Sequence, residues 1–293
     1  MFLFASLTLV AAGCSDDEPD TAPTPSITEL VVNDPNFSIL EAAVVKAGLA
    51  NALATTNPLT VFAPNNAAFN ASGITESVIN ALPVSTVDSI LKYHVLGSFV
   101  SSTQVPVSDA VPTLLGTKLF ASRNSNGVFV NGVKVSPADI EASNGLVHVI
   151  AKVLIPPTKS IAEIAVADTN FTFLVQAVSR LGLVPTLSGP GKFTVFAPTN
   201  AAFRAAGITD INAVPIATLE TVVRYHVLGT NVFASDLTNG ATVPTLQGGN
   251  LLVNLTPARV KIATSTQPSS NITAVDITAT NGVIHVIDRV LLP

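Results

Sequence analysis

Side chains capable of chemistry are few in this sequence. The only cysteine is Cys14, and the four histidines are His94, His148, His226 and His285. No nucleophile elbow (G-x-S-x-G), zinc-peptidase pattern (H-E-x-x-H) or phosphate-binding glycine loop occurs. His148 and His285 stand inside apolar stretches, which indicates buried or edge-strand histidines rather than metal ligands. The residue types therefore predict a protein that is not an enzyme and holds no cofactor or metal.

The position of Cys14 suggests acylation. It follows an apolar run, Met1 to Ala12, that is too short to span a bilayer but fits the core of a signal peptide. The segment LVAAGC, which ends at Cys14, resembles a bacterial lipobox, in which the cysteine is acylated and becomes the mature N-terminus. We expect a lipoprotein signal peptide at residues 1–13 and a lipid on Cys14. An ordinary secretory signal is the alternative.

Residues 14–26 are predicted to form an acidic, Pro- and Thr-rich tether that stays solvated and extended. Four of its acidic residues account for most of the net charge of -5, namely Asp16, Asp17, Glu18 and Asp20. Acidic residues directly after a lipidated cysteine resemble the surface-export signal of Bacteroidetes lipoproteins, and they are also typical of a plain spacer. The rest of the chain is close to neutral and has no cluster of Lys and Arg, which argues against a nucleic-acid partner.

Most of the remaining chain is a duplication. DPNFSILEAAVVKAGL at 34–49 matches DTNFTFLVQAVSRLGL at 168–183, and TVFAPNNAAF at 60–69 matches TVFAPTNAAF at 194–203. YHVLG occurs at 93–97 and again at 225–229, and NGLVHVIAKVLIP at 144 is repeated as NGVIHVIDRVLLP at 281. A period this long indicates two tandem domains, which we call copy one (27–157) and copy two (158–293). Adjacent prolines at 156 and 157 predict a short, stiff linker between them.

The beginning of each copy has the pattern of an amphipathic helix. Asp34 and Asp168 are predicted N-caps, and apolar residues follow at helical spacing. These residues are Phe37, Leu40 and Val44 in copy one, and Phe171, Leu174 and Val178 in copy two. A second helix in copy one is predicted from the spacing of Val87, Ile90, Leu91 and Val95.

The remaining segments favour strands. Thr60–Ala63 is predicted to be a buried strand that stops at the proline after it. Asn126-Gly127 and Asn131-Gly132 are predicted turns between strands, and Asn144-Gly145 leads into a final apolar strand at Leu146–Ile150. We expect an α+β fold with a mixed or antiparallel sheet at its core.

The motifs TVFAPTNAAF, YHVLG and DITATNGVIHVIDRVLLP, in this order and spacing, resemble the fasciclin domain. The resemblance covers both copies. It implies two tandem fasciclin-like domains, each a β-sandwich or wedge with helices packed on one side. It also implies a secreted or membrane-anchored protein of adhesion or extracellular matrix.

The same resemblance implies partner-binding residues. In animal fasciclin proteins, integrin recognition is attributed to an Asp-Ile pair before the Asn-Gly turn and to the Tyr-His motif. The matching pairs here are Asp139-Ile140, Asp276-Ile277, Tyr93-His94 and Tyr225-His226. The alternative is structural, with turn-capping aspartates and partly buried Tyr-His pairs. Copy one departs from the family pattern at Asn65 and Ala151, where copy two has Thr199 and Asp288.

These observations predict a non-catalytic surface or envelope lipoprotein that mediates cell adhesion or binds an extracellular protein, matrix or glycan partner. We expect the lipid on Cys14 to hold it at the bacterial outer membrane with its domains at the cell surface. The alternative is an envelope receptor for a small ligand or polysaccharide, which needs a concave apolar pocket. A broad exposed patch over a closed core would favour adhesion.

Overall fold

The computed structural model describes residues 23–56 and 58–293. The predicted signal peptide and Cys14 lie outside the described residues. Copy one contains six α-helices, α1 Ile27–Asn33, α2 Ser38–Ala47, α3 Ala50–Thr55, α4 Asn66–Ala71, α5 Glu76–Ala81 and α6 Val84–Tyr93. A short 3-10 helix, Pro35–Phe37, precedes α2.

The strands of copy one are β1 Leu59–Pro64, β2 Val95–Leu96, β3 Ser108–Pro112, β4 Lys118–Asn124, β5 Gly127–Val130, β6 Val133–Lys134, β7 Ile140–Ala142 and β8 Gly145–Ile150. They form two four-stranded sheets, in the orders β2-β1-β8-β7 and β3-β4-β5-β6. The central strands β1 and β8 are parallel, with Leu59 opposite Gly145 and Pro64 opposite Ile150, and the other pairs are antiparallel. The first sheet is therefore mixed.

Copy two repeats this order except that a 3-10 helix, Ile211–Ala213, stands in place of α5. Its α-helices are α7 Ile161–Ala167, α8 Thr172–Arg180, α9 Val184–Ser188, α10 Asn200–Ala205 and α11 Ile216–Tyr225. Its strands are β9 Phe193–Pro198, β10 Val227–Leu228, β11 Thr242–Pro244, β12 Asn250–Leu255, β13 Ala258–Ile262, β14 Ser270–Ala279 and β15 Gly282–Ile287. They form one seven-stranded sheet because β14 is long enough to pair with β13 at its start and with β15 along the rest. Copy one has two short strands, β6 and β7, in place of β14, so its sheets stay separate.

Each copy has two apolar cores, one on either side of the central strands. In β1, Val61 and Ala63 pack under the helices, whereas Phe62 packs against the second sheet. Val195 and Phe196 divide in the same way in β9. A strand buried on both faces has a continuous apolar sequence, which is why TVFAP has no alternation. The predicted α+β class, with helices on one side, is confirmed.

Two local predictions need correction, and one helix has no counterpart among the predictions. Val95 is not part of the second helix, because α6 ends at Tyr93 and Val95 pairs with Val61 in β2. Asp34 and Asp168 cap 3-10 turns rather than α2 and α8, since their side chains accept hydrogen bonds from the N–H groups of Asn36 and Asn170. Helix α1 was not predicted, although Ser26 and Glu29 carry its signal. They form a capping box, in which each side chain accepts from the other residue's backbone N–H.

The last residues of the predicted tether belong to the folded domain. The Pro25 carbonyl accepts a hydrogen bond from the Ser143 N–H at 2.9 Å, and Ser26 is the N-cap of α1. A free tether would therefore end before Pro25. Within the described residues no single helix is long and apolar enough to cross a bilayer. The pair Ile161–Ala167 and Thr169–Arg180 has sufficient apolar length only together, and it is bent by 102°.

Candidate functional site

The histidine of each Tyr-His motif is buried at the end of a helix. His94 Nδ1–H donates to the Ile90 carbonyl at 2.7 Å, and its Nε2 accepts from the Leu154 N–H at 2.9 Å. His226 makes the same two bonds, to the Val222 carbonyl at 2.7 Å and from the Leu291 N–H at 3.0 Å. A backbone N–H can only donate, so both rings are neutral with the proton on Nδ1.

Burial lowers the pKa of both His94 and His226 to about 4. Tyr93 is also buried, and its hydroxyl oxygen accepts from Asn131 Nδ2 at 2.9 Å. Burial raises the pKa of Tyr93 to about 12. With exposures of 1% for Tyr93, 3% for His94 and 2% for His226, these side chains cannot reach a partner in this structure. Tyr225 is half-buried. The geometry thus favours the structural interpretation of the Tyr-His pair.

The aspartate of each Asp-Ile pair occupies a bend held by a histidine of the last strand. Asp139 has φ +57°, and its N–H donates to His148 Nδ1 at 3.1 Å. His148 Nε2–H in turn donates to the Val100 carbonyl at 2.9 Å. Asp276, with φ +59°, makes the equivalent bond to His285 Nδ1 at 3.3 Å. Aspartate tolerates this left-handed conformation better than most residues do. The hydrogen bond from each aspartate N–H to a histidine of the last strand holds the bend in this direction.

The carboxylate of Asp139 is exposed and oriented. It accepts from the Ser102 N–H at 2.8 Å and from the Ser102 hydroxyl. Partial burial raises the pKa of the Asp139 carboxyl, but the hydrogen bonds from Ser102 outweigh it and hold the pKa below its usual value. The neighbouring Ile140 is half-buried. Copy one therefore presents an ionised carboxylate in a fixed orientation.

The equivalent Asp276 is covered by copy one. Its carboxylate accepts from the Ala234 N–H at 2.8 Å, and a Cβ placed on Gly132 would lie 2.8 Å from its Oδ2. Burial raises the pKa of the Asp276 carboxyl. Ile277, like Asp276, is half-buried. The two Asp-Ile pairs thus share a local geometry but differ in access.

A contact between the copies causes this difference. Phe233 of copy two lies 6.0 Å from the ring of Phe120 on β4. Asp236 accepts a hydrogen bond from the Ser122 hydroxyl at 2.5 Å, and the Ser235 carbonyl accepts from Asn124 Nδ2 at 2.8 Å. We call the loop 233–236 together with Asp276 the docking face of copy two.

The same face is free in copy one. The loop 101–104 corresponds to 233–236, and Asp139 corresponds to Asp276. Ser101 stands where copy two has Phe233, and Gln104 stands where copy two has Asp236. We call the loop 101–104 together with Asp139 the open face of copy one. Neither loop was predicted as a binding element from the sequence. The signal was the difference between the repeats at these positions, SSTQ at 101–104 and FASD at 233–236.

The two departures of copy one from the family pattern differ in consequence. Asn65 caps α4 by accepting from the Ala68 N–H, as Thr199 does for α10 at Ala202, so this exchange preserves the cap. Asp288 accepts from the Asn271 backbone N–H at 2.8 Å and from its Nδ2 at 2.6 Å, which holds the start of β14. Alanine at 151 offers no such acceptor, consistent with the missing long strand in copy one.

The chain is similar to one protein family and to several known proteins. The family model described as Fasciclin domain matches residues 35–156 and 169–293. Human periostin is 29% identical over 273 residues, covering 92% of this chain and 31% of periostin. Pig transforming growth factor-beta-induced protein ig-h3 is 30% identical over 241 residues, covering 80% and 34%. The chain thus spans about a third of the length of these two relatives.

A bacterial protein and a solved structure are also similar. Protein sll1483 of Synechocystis is 39% identical over 149 residues, covering 50% of this chain and 81% of that protein. The FAS1 domain pair of the insect cell adhesion molecule Fasciclin I covers 91% of this chain and 96% of its own, with 20% identity and a TM-score of 0.43.

Proposed function

Because the chain belongs to the fasciclin domain family, we propose that it is a surface or envelope lipoprotein that mediates cell adhesion or binds extracellular protein or matrix, without catalysis. Adhesion is what the family resemblance implies. The residues that would carry it are those of the open face of copy one.

The observation that carries the proposal is the use of the same face inside the molecule. In copy two this face already binds protein, since it docks on β4 of copy one through an aromatic contact and two hydrogen bonds. Copy one leaves Thr103, Gln104 and Asp139 of its equivalent face exposed, and the polar Ser101 stands in place of the phenylalanine anchor. A different side-chain set on the same scaffold suits a different protein partner.

The carboxylate of Asp139 is the charged group of the open face that we expect to bind a partner. Its two hydrogen bonds from Ser102 leave further acceptor positions on the carboxylate, which can receive a basic group of a partner. An exposed charge pair contributes only about 0.2–1 kcal/mol. We therefore expect weak individual contacts, with firm attachment arising from many molecules on one cell surface.

Cell attachment tests this proposal. Purified residues 23–293 should inhibit the attachment of intact cells to a protein-coated surface, and a deletion strain should attach less. We expect Asp139→Asn to raise the concentration for half-inhibition about five-fold, because it removes roughly 1 kcal/mol of charge interaction. Glu76→Gln removes the same charge from an exposed position on α5 and should change nothing. Equal inhibition by wild type and Asp139→Asn would contradict a role for the open face.

The membrane attachment needs a separate test. We expect Cys14 to incorporate an alkyne-labelled fatty acid in cells, and Cys14→Ser to release the protein into a soluble fraction. Proteolysis of intact cells should remove the domains if they lie at the outer surface. Labelling of Cys14→Ser to the wild-type level would exclude the lipid at this position.

A further inference from the structure

Copy one contains an apolar pocket under its helices. The pocket has a volume of about 120 Å³ and lies between α1, α2, α3 and the end of α6. Its walls include the buried side chains Val31, Leu40, Val44, Leu53, Leu91 and Val95. Its rim includes Val45 and Ala52, which are exposed, so the pocket is accessible from solvent.

The polar groups that line the inner part already have partners. His94 uses both ring nitrogens, and the Thr28 hydroxyl donates to the Ala50 carbonyl at 3.0 Å. The unpaired buried polar side-chain atoms of the described residues belong to Asn231 and Ser235, outside this pocket. The inner end therefore suits hydrocarbon, which needs no hydrogen-bond partner.

Copy two has the same pocket in two parts. The inner part, about 30 Å³, is lined by equivalents of the copy-one residues such as Ala165, Leu174 and Val178. The outer part, about 280 Å³, includes Phe193 and Leu246. Phe193 stands where copy one has Leu59. We infer that the larger ring divides the pocket of copy two, whereas the single pocket of copy one is lined both by exposed rim residues and by buried ones.

A cation occupies the same rim position in both copies. Lys92 lines the pocket of copy one, and Arg224 lines the outer part in copy two. Each forms a partly exposed pair with the acid one turn earlier, Lys92 with Asp88 at 2.9 Å and Arg224 with Glu220 at 2.8 Å. Pairs of this kind are weak, so the cation can turn to an anionic ligand. Glu41 also lines the copy-one pocket.

We propose that copy one binds a free medium-chain fatty acid, with the alkyl end inside the pocket and the carboxylate at Lys92. A cavity of about 150 Å³ holds a benzene molecule. The pocket thus encloses the last carbons of the chain, on the order of five, while the remainder lies along the exposed rim. This activity is independent of the adhesion proposed above, because the open face lies elsewhere in copy one.

Calorimetric titration of residues 23–293 with dodecanoate, below its micellar concentration, tests the proposal. We expect one site per chain with a dissociation constant on the order of 100 µM. Lys92→Gln should weaken dodecanoate binding about five-fold and leave dodecanol binding unchanged. Phe193→Leu should raise the stoichiometry from one to two, because it rejoins the two parts in copy two.

Two variants should remove the site in copy one. Leu59→Phe reproduces the residue of copy two, and Ala52→Trp fills the rim from an exposed position. Asn51→Trp, exposed on the same helix but outside the pocket, is the matched control and should bind normally. Failure of wild type to bind dodecanoate would overturn the proposal, as would normal binding by both Leu59→Phe and Ala52→Trp. Binding only to phosphatidylglycerol vesicles would overturn the assignment to a free acid.

Discussion

Gly145→Ala is expected to destabilise copy one more than any other single-methyl change described here. A Cβ at this position would lie 2.0 Å from the Leu59 carbonyl oxygen. Leu59 and Gly145 face each other at the start of β1 and β8, the two parallel central strands of the sheet. Neither backbone can move away without breaking this pairing, so we expect a loss of at least about 3 kcal/mol.

Asn144, the residue before Gly145, holds this site in place through hydrogen bonds to two helices. Asn144 Oδ1 accepts from the Ile27 N–H at 2.9 Å, and its Nδ2 donates to the carbonyls of Leu53 at 2.7 Å and Thr56 at 3.1 Å. One side chain thus joins the start of α1 and the end of α3 to the entry of β8. A shift of Gly145 would strain these bonds as well.

Urea unfolding of residues 23–293 measures the effect. Gly73→Ala is the matched control, because Gly73 has φ +68° but no atom within 4 Å of an added Cβ. It should cost only about 1 kcal/mol. Gly282→Ala should reproduce the large loss in copy two, since its Cβ would lie 2.0 Å from the Phe193 carbonyl oxygen. Equal midpoints for Gly145→Ala and Gly73→Ala would show that the strands tolerate the extra methyl.

Mild acid is expected to destabilise both copies. The pKa of His94 and of His226 is about 4 in the folded protein, against an ordinary value of 6.5. The unfolded chain therefore binds more protons than the folded chain as the pH falls from about 6.5 to 4. The contribution of each neutral histidine to the free energy of unfolding is present above this pH window and is lost within it. The loss is up to about 3 kcal/mol per histidine.

The pKa shifts of other groups also affect how stability depends on pH. Burial lowers the pKa of His285, which adds to the loss. Burial raises the pKa of Asp276, which opposes it, because protonation of Asp276 is then easier in the folded protein. The carboxyls of Asp139 and Asp288 have lowered pKa values and lose their contribution at lower pH.

Urea midpoints measured from pH 7 to pH 4 test this prediction. We expect a steady fall for wild type and a smaller fall for the double variant His94→Gln and His226→Gln. Glutamine can both donate and accept but does not titrate, so the double variant isolates the histidine contribution. A wild-type midpoint that stays constant between pH 6.5 and 4.5 would rule out this mechanism.

Sequence alone determined the duplication, the fold class and several elements. Strand β1, the turn at Asn144-Gly145 and strand β8 are encoded by neighbouring residues, because burial on both faces requires a continuous apolar run and a tight backbone approach requires glycine. The helix at Leu40 and Val44 likewise follows from spacing. The capping box at Ser26 and Glu29 is a local signal for α1 that the sequence also carries.

Tertiary structure alone decided which of the repeated motifs are accessible. Asp139 and Asp276 both precede an isoleucine and share the same bend, yet one is exposed and the other is covered by copy one. The covering contact joins Ser122 to Asp236, 114 positions apart. Periodicity and turn signals describe neighbours along the chain, whereas access depends on which distant surface packs against a residue. The apolar pocket under α1 and α2 arises for the same reason, from imperfect filling between elements that are separate in sequence.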